Sequence, residues 1–203
     1  MPFFASPPLI LSMGLFALAA SLSPGPVNIL SLSHGARHGF RPALRHVTGA
    51  TIGFILLLVL CGLGVTQAVT ALPFLADGLR WGGVAFLLVM AGRLWGAVPL
   101  GSKTAPPPER PPSVWAGALL QWLNPKAWMA ALAGVGTFAA DGDWARIELF
   151  CALYFGICYL SIGAWAYLGA KATSLMNTPS RVQLFNRLMA LALAGGALGM
   201  TFD

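Results

Sequence analysis

The segment "SLSPGPVNIL", residues 21–30, places two prolines and a glycine inside a stretch that is otherwise apolar enough to cross a membrane. Proline lacks an N–H donor and clashes with the preceding turn, so it interrupts a helix, yet it fits the first turn of a new one. Ser23, which precedes Pro24, is a favoured N-cap residue. The segment therefore predicts that one helix ends here and that a second helix begins.

The composition of the whole chain is that of a polytopic membrane protein. Of its 203 residues, 57% are hydrophobic and 9% are charged, and the mean hydropathy is +0.75. Soluble domains carry about 25% charged residues. A transmembrane helix needs about 20 mostly apolar residues, and six windows meet this requirement: 9–32, 47–69, 79–100, 114–140, 149–170 and 182–202.

Charged residues alternate between the links that join these windows. Arg37, Arg41 and Arg45 fall between the first two spans, and further Lys and Arg residues flank the links between spans three and four and between spans five and six. Five of the six acidic residues lie in or beside the opposite links or at the C-terminus: Asp77, Asp141, Asp143, Glu148 and Asp203. The positive-inside rule then predicts that both termini are external. The net charge of +6 follows from this topology, so nucleic acid is not expected as a partner.

A cleaved secretory signal is an alternative for residues 9–22, because this apolar run ends in "ALAAS". The flanking charges argue against it. No Lys or Arg precedes the run, and three arginines follow in the next link, which is the reverse of a signal peptide. A first transmembrane span is the favoured interpretation.

A proline-rich polar link, "GSKTAPPPERPPS" at residues 101–113, divides the six spans into two groups of three. An odd number of spans in each group predicts two repeats of opposite orientation. Asn124-Pro125-Lys126 interrupts the first span of the second group, as residues 23–26 interrupt the first span of the chain. The expected fold is one all-α transmembrane domain over residues 1–203, with repeat A at about 8–100 and repeat B at about 114–203. The first and fourth helices of its six are broken.

The two breaks mark the candidate site. A half-helix that begins inside the membrane directs N–H groups and a positive dipole end inward, where a carboxylate can bind. Lys126 is the one charged residue expected deep in a span, and such a residue is a functional candidate by default. The predicted substrate-binding residues are Ser23, Pro24, Gly25, Pro26, Asn28, Gln121, Asn124, Pro125 and Lys126. Alternatives are simple proline kinks, a lysine that extends to the cytoplasmic headgroups, and polar side chains that bond neighbouring helices.

Other reactive residue types do not form a recognisable site. Cys61, Cys151 and Cys158 fall in predicted spans without a CxxC pair, and we interpret them as small buried hydrophobic residues. Three histidines fall in the first cytoplasmic link, where a solvated basic link is favoured over a metal site: His34, His38 and His46. The sequence has no nucleophile–base set, phosphate loop or metal-ligand cluster. We therefore expect neither an enzyme nor a cofactor.

Glycine pairs four residues apart recur along the chain, as they do at close helix contacts in membranes. The pairs are Gly35 and Gly39, Gly49 and Gly53, Gly78 and Gly82, Gly92 and Gly96, and Gly195 and Gly199. The pattern predicts a compact bundle and is compatible with a homodimer.

Two motifs resemble those of the LysE/RhtB family of amino-acid exporters. "SPGPVNILSLSHGARHGFRPALRHVTGATIG", residues 23–53, is similar to the first-span signature of that family, and "QWLNPKAW", residues 121–128, is similar to its second. Pro24, Gly25 and Pro26 match the first motif, while Asn124-Pro125-Lys126 matches the second. The first motif and "GFILLLVLCG", residues 53–62, are most similar to the branch that exports cysteine and O-acetylserine.

The resemblance implies export of amino acids or their derivatives across the cytoplasmic membrane, driven by the proton gradient, as in an antiporter. The expected partners are the amino acid, protons and the lipid bilayer. No acidic residue lies deep in a predicted span, so Lys126, an external acid or protons that travel with the substrate remain candidates for proton coupling. A passive channel and a redox carrier that uses the intramembrane cysteines are the alternative functions.

Overall fold

The computed structural model of the protein describes residues 6–65, 73–96, 112–139, 142–172 and 178–202. The described residues form eight α-helices and contain no strand, which confirms the all-helical prediction. The helices are α1 (Pro7–Leu22), α2 (Pro26–His38), α3 (Phe40–Leu60), α4 (Pro73–Trp95), α5 (Val114–Trp122), α6 (Pro125–Phe138), α7 (Trp144–Ala172) and α8 (Pro179–Phe202). A π-helical turn, Cys61–Val65, continues α3.

The first helix break lies where the sequence predicts it, but its cap differs. Helix α1 ends at Leu22, α2 begins at Pro26, and the two are bent by 60°. The N-cap of α2 is Gly25, not Ser23, which instead caps the C-terminus of α1. Pro24 explains the error, because the residue before a proline is held in extended conformation, as Ser23 is at φ −60° and ψ 138°. The second proline, Pro26, is therefore the one that starts the new helix.

The second break follows the prediction, with α5 ending at Trp122 and α6 beginning at Pro125. Asn124 is the N-cap residue, and its Oδ1 accepts a hydrogen bond of 3.2 Å from the backbone N–H of Lys126. Both breaks thus combine a cap residue with a proline in the first helical position.

The solvated loop predicted for the histidines between the first two spans is not formed, although Arg41 and Arg45 of this basic stretch are exposed. Helix α2 continues to His38 and α3 begins at Phe40, so Gly39 alone separates them, with a φ of +83° that glycine adopts without strain. His46 is 1% exposed, and its ring centre lies 4.9 Å from that of His34. The tight turn at Gly39 places these histidines in packed helices and not in a solvated loop.

Close helix contacts depend on a subset of the glycines. A Cβ atom at Gly35 or Gly169 would overlap the backbone carbonyl of the facing helix, so α2 and α7 pack backbone to backbone. Gly49 and Gly53 give α3 the same proximity to α5. The predicted contacts are confirmed at these glycines of the pairs: Gly35, Gly49 and Gly53. Among the described residues, no atom of this chain lies within 4 Å of an added Cβ at these other glycines of the pairs: Gly39, Gly78, Gly82, Gly92 and Gly195.

Two described helices have the length and composition to cross a membrane, and a bent pair of helices adds a third candidate. The two are Phe40–Gly64 and Trp144–Ala172, and the bent pair is α1 with α2. The chain is a membrane protein on this composition. Most of the proline-rich link, residues 101–111, lies outside the described residues.

Candidate functional site at the two helix breaks

A single lysine joins the two helix breaks. The Nζ atom of Lys126, in the first turn of α6, donates to the carbonyl oxygen of Ser23 at 2.8 Å and to the Ser23 hydroxyl at 2.8 Å. A third bond of 3.1 Å reaches the carbonyl oxygen of Pro24. These three oxygens hold the ammonium group between the two breaks.

Side chains from three helices satisfy the carbonyl groups at the end of α1. Asn28 Nδ2 donates to Ser21 O at 2.9 Å and to Ser23 O at 2.8 Å, and Trp165 Nε1 donates to Leu22 O at 3.1 Å. The last carbonyls of a helix have no intrahelical partner, and leaving them unbonded in an apolar environment is costly. Asn28, Lys126 and Trp165 supply those partners and so fix the shape of the break.

The start of α6 is also held by local bonds. The carbonyl oxygen of Asn124 accepts from Ala127 N at 2.9 Å, and Asn124 Nδ2 donates to Gln121 Oε1 at 3.4 Å. The first N–H groups of α6 therefore already donate to acceptors within the protein. At this break the group that attracts an anion is the Lys126 ammonium. In α2, by contrast, the first helical bond runs from Ile29 N to Gly25 O at 2.9 Å. The N–H groups of Val27 and Asn28 lie before this bond, so they have no acceptor within the helix.

A small cavity of about 40 Å³ with a mixed polar and apolar lining lies beside Lys126; we call it the polar cavity because its wall carries several polar side chains. This volume accommodates about three water-sized groups, which is the scale of a carboxylate or an amino group. Its polar and thiol-bearing lining residues are Ser21, Asn28, Gln121, Asn124, Lys126, Tyr154 and Cys158. Gly25 and Val27 from the start of α2 also line it.

A larger cavity of about 320 Å³ lies against the same lysine. Its walls are mostly apolar and come from four helices: Ile29 of α2, Leu87 of α4, Met129 of α6, and Ala192 and Leu193 of α8. The two cavities share three lining residues, Gly25, Asn124 and Lys126. Among the described residues that line either cavity, Lys126 is the only charged one.

The structure brings all nine predicted site residues together. Eight of them line one or both cavities, and Ser23 bonds the ammonium group of Lys126. Asn28 and Gln121 both line the small cavity. Asn28 also donates to the end of α1, whereas Gln121 accepts a bond from nearby Asn124.

The sequence interpretation missed the wall that α3 and α7 contribute. Tyr154 is 2% exposed, its ring centre lies 4.4 Å from that of Phe54, and its hydroxyl lies beside Ser21. Cys158 lies beside the hydroxyls of Ser21 and Thr51. The spacing of four between Tyr154 and Cys158 places them on one helix face, but an apolar helix does not reveal from its sequence which face points inward.

The cysteines are buried or half-buried, as the sequence suggests. Cys61 and Cys158 are buried, Cys151 is half-buried, and none of the three forms a disulfide. Within the described residues, no group of three or more His, Cys, Asp or Glu side chains comes together as a metal site would require. The arrangement can bind a carboxylate or a zwitterion, and it offers no nucleophile with an adjacent base.

Comparison with known proteins identifies the family that the chain resembles. The family model "LysE type translocator" matches residues 18–201. Over 134 residues the chain is 32% identical to the cysteine/O-acetylserine efflux protein of Salmonella choleraesuis (strain SC-B67), covering 66% of this chain and 67% of that protein. The protein of the same name from Escherichia coli (strain K12) is 31% identical with the same coverage. No solved structure matches the chain.

Proposed function

We propose that this chain, which belongs to the LysE type translocator family, exports small amino acids or their derivatives across the cytoplasmic membrane by a secondary-active mechanism. It is a transporter and not an enzyme, as its family and its efflux relatives indicate. Cysteine and O-acetylserine are the first substrates to test, because they are named for the relatives. The observation that carries the proposal is the position of Lys126, whose ammonium joins both helix breaks at a polar cavity.

The carboxylate of the substrate replaces the present partners of Lys126. Three oxygens from Ser23 and Pro24 now surround Nζ. A carboxylate forms a stronger, charge-assisted bond with an ammonium group than a neutral carbonyl does, and the start of α2 adds a positive dipole end. Binding therefore loosens the link between α6 and the end of α1, so substrate occupancy changes how firmly the two breaks are joined.

The packing of the helices supports two inverted repeats. Helices α1 and α2 pack on α7, helices α5 and α6 pack on α3, and α4 packs on α8. If each broken pair is one span, the first span of each half packs on the second span of the other half, and the two third spans pack together. That exchange is what a two-fold axis in the membrane plane produces. In this proposal the repeats rock about the Lys126 site, six spans cross the membrane, and both termini are external.

The proton gradient drives export in this proposal. The described residues with carboxylates, Asp77, Asp143 and Glu148, line neither cavity. Lys126, an external acid and protons carried with the substrate remain the alternative routes for coupling.

Efflux of preloaded radiolabelled amino acids from cells that overexpress the protein tests the function. The panel contains cysteine, O-acetylserine, threonine, homoserine, leucine and lysine, each measured with and without an uncoupler. We expect uncoupler-sensitive loss of one chemical group of these compounds. Saturable efflux that is insensitive to the uncoupler would contradict proton coupling, while non-saturable efflux would indicate a passive channel. No selective loss of any compound would refute amino-acid export.

A further inference from the structure

The apolar cavity and the polar cavity meet at the residues proposed to anchor the substrate. Gly25, Asn124 and Lys126 form part of the wall of both. The polar cavity, at about 40 Å³, has room for the charged groups of an amino acid and little more. The apolar cavity, at about 320 Å³, lies within the range of about 300–1,000 Å³ that is usual for small-molecule sites.

We infer that the apolar cavity holds the substrate side chain and that it selects uncharged side chains longer than that of cysteine. This inference rests on the proposed export function and specifies its substrate class. Methionine, leucine and O-acetylserine have such side chains. The residues that determine the selection are the apolar ones contributed by α2, α4, α6 and α8: Ile29, Leu87, Met129, Ala192 and Leu193.

Charge supports this choice of occupant. Among the described residues, the cavity contains no charged group except Lys126, which the substrate carboxylate engages. A second carboxylate or ammonium on the substrate would lie against Leu87 and Leu193, both 1% exposed, without a partner. Burying an unpaired charge is strongly unfavourable, so lysine and glutamate are excluded as substrates.

Continuity with Lys126 favours a substrate side chain over a lipid chain as the occupant. The cavity includes the start of both half-helices, Pro26 and Pro125, together with the ammonium group. An acyl chain makes no favourable polar contact with the helix starts or the ammonium group. An amino acid whose carboxylate binds Lys126 places its side chain in the apolar cavity.

A substitution that fills the cavity tests the inference. Ala192 is exposed and lines the cavity, so Ala192→Phe reduces its volume without displacing the buried core. The control is Ala164→Phe, which adds the same ring to an exposed position on α7 that lines neither cavity. Export of methionine, leucine, O-acetylserine, cysteine, serine, lysine and glutamate is measured for each protein, and the ratio of methionine to cysteine efflux is compared.

We expect the unmodified protein to export methionine, leucine and O-acetylserine but neither lysine nor glutamate. Ala192→Phe should lower the methionine-to-cysteine ratio by at least about tenfold, the scale at which a hydrophobic pocket discriminates by size, and Ala164→Phe should leave the ratio unchanged. Equal ratios in the two variants, the result expected if a lipid chain fills the cavity, would overturn the inference.

Two further outcomes separate this inference from the proposed function. Export of cysteine without export of any longer substrate by the unmodified protein would overturn the inference and leave the export function intact. Export of none of the compounds would overturn both. If Ala192→Phe does not reach the membrane, Met129→Ala provides the opposite change, since Met129 is 66% exposed and its truncation enlarges the cavity. That variant should raise the methionine-to-cysteine ratio, and an unchanged or lower ratio would contradict the inference.

Discussion

The ammonium nitrogen of Lys126 lies 2.8 Å from the carbonyl oxygen of Ser23, which stands 103 residues earlier in the chain. The bond connects the first turn of α6 to the cap that ends α1. Each partner alone is a local feature of a helix break, but together they make the two breaks one site. A cation beside helix carbonyls is favourable there, and the same cation is available to a carboxylate that binds more strongly.

Removing this cation should abolish export. Lys126→Ala eliminates three hydrogen bonds to Ser23 and Pro24 as well as the positive charge beside the polar cavity. Lys126→Arg keeps the charge but replaces a point charge by a planar, bulkier group, so we expect it to be impaired too. The measurement is efflux normalised to the amount of protein in the membrane. Lys171→Ala, at an exposed position on α7, is the control that should transport normally. Normal efflux by Lys126→Ala would remove the proposed site.

Asn124 combines a structural and a functional role, and two variants can separate them. Its side chain caps α6 at 3.2 Å from Lys126 N, and it lines both cavities. Ser113 caps α5 in the same manner, accepting from Ala116 N at 3.0 Å, but lines neither cavity. Each substitution to alanine should cost about 1 kcal/mol of stability. Only Asn124→Ala should abolish efflux; equal efflux by the two variants would show that Asn124 acts as a cap alone.

The sequence predicts the breaks because proline acts locally. The steric effect of Pro24, Pro26 and Pro125 is decided within one helical turn. The prediction of Ser23 as the N-cap was wrong because either Pro24 or Pro26 can stand in the first position of a helix, and α2 begins at Pro26. Lys126 could also be identified as a candidate from the sequence alone, since an ionisable residue is rare within an apolar segment.

The remaining parts of the site depend on contacts between distant helices. Leu87 and Leu193 border the apolar cavity from α4 and α8, and Tyr154 borders the polar one from α7. Helices in a membrane are apolar on every side, so hydrophobic periodicity does not identify the inward face. The burial of His46 was missed for a related reason, since a cluster of Arg and His resembles a solvated link until the turn at Gly39 is known.

Asn28 should stabilise the first break by donating hydrogen bonds, and its aspartate variant tests this. Asn28 Nδ2 donates to Ser21 O at 2.9 Å and to Ser23 O at 2.8 Å. Asn28→Asp has nearly the same shape but places acceptors against those carbonyls, so the expected loss of unfolding free energy is at least about 1–3 kcal/mol. Ser12→Ala, which removes an exposed bond of 2.8 Å to Pro8 O within α1, is the control and should change stability little. Thermal unfolding in detergent measures both, and a similar stability for the two variants would contradict the role assigned to Asn28.

A variant that lacks all three cysteines distinguishes an exporter from a redox carrier. Cys61, Cys151 and Cys158 form no disulfide, so their simultaneous replacement by alanine breaks none. Cys158 borders the polar cavity, and its replacement by alanine enlarges the cavity by the volume of one sulfur atom. We expect uncoupler-sensitive efflux to persist in the triple variant, with any change limited to substrate preference. Complete loss of activity in protein that still reaches the membrane would favour the redox alternative.

The contact between α2 and α7 should be the part of the scaffold least tolerant of a small addition. A Cβ at Gly169 would overlap the carbonyl of Leu32, whereas a Cβ at Gly163, on the same helix, would have no atom of the described residues within 4 Å. Gly169→Ala should therefore lower the unfolding free energy by about 1–3 kcal/mol through overpacking. Gly163→Ala should be neutral or stabilising by up to about 1 kcal/mol, because alanine has the higher helix propensity. Thermal unfolding in detergent measures the two. Because α2 carries Pro26 and Asn28 into the site, the displacement caused by Gly169→Ala should also reduce efflux, and full efflux with normal stability would mean that close α2–α7 packing does not position the site.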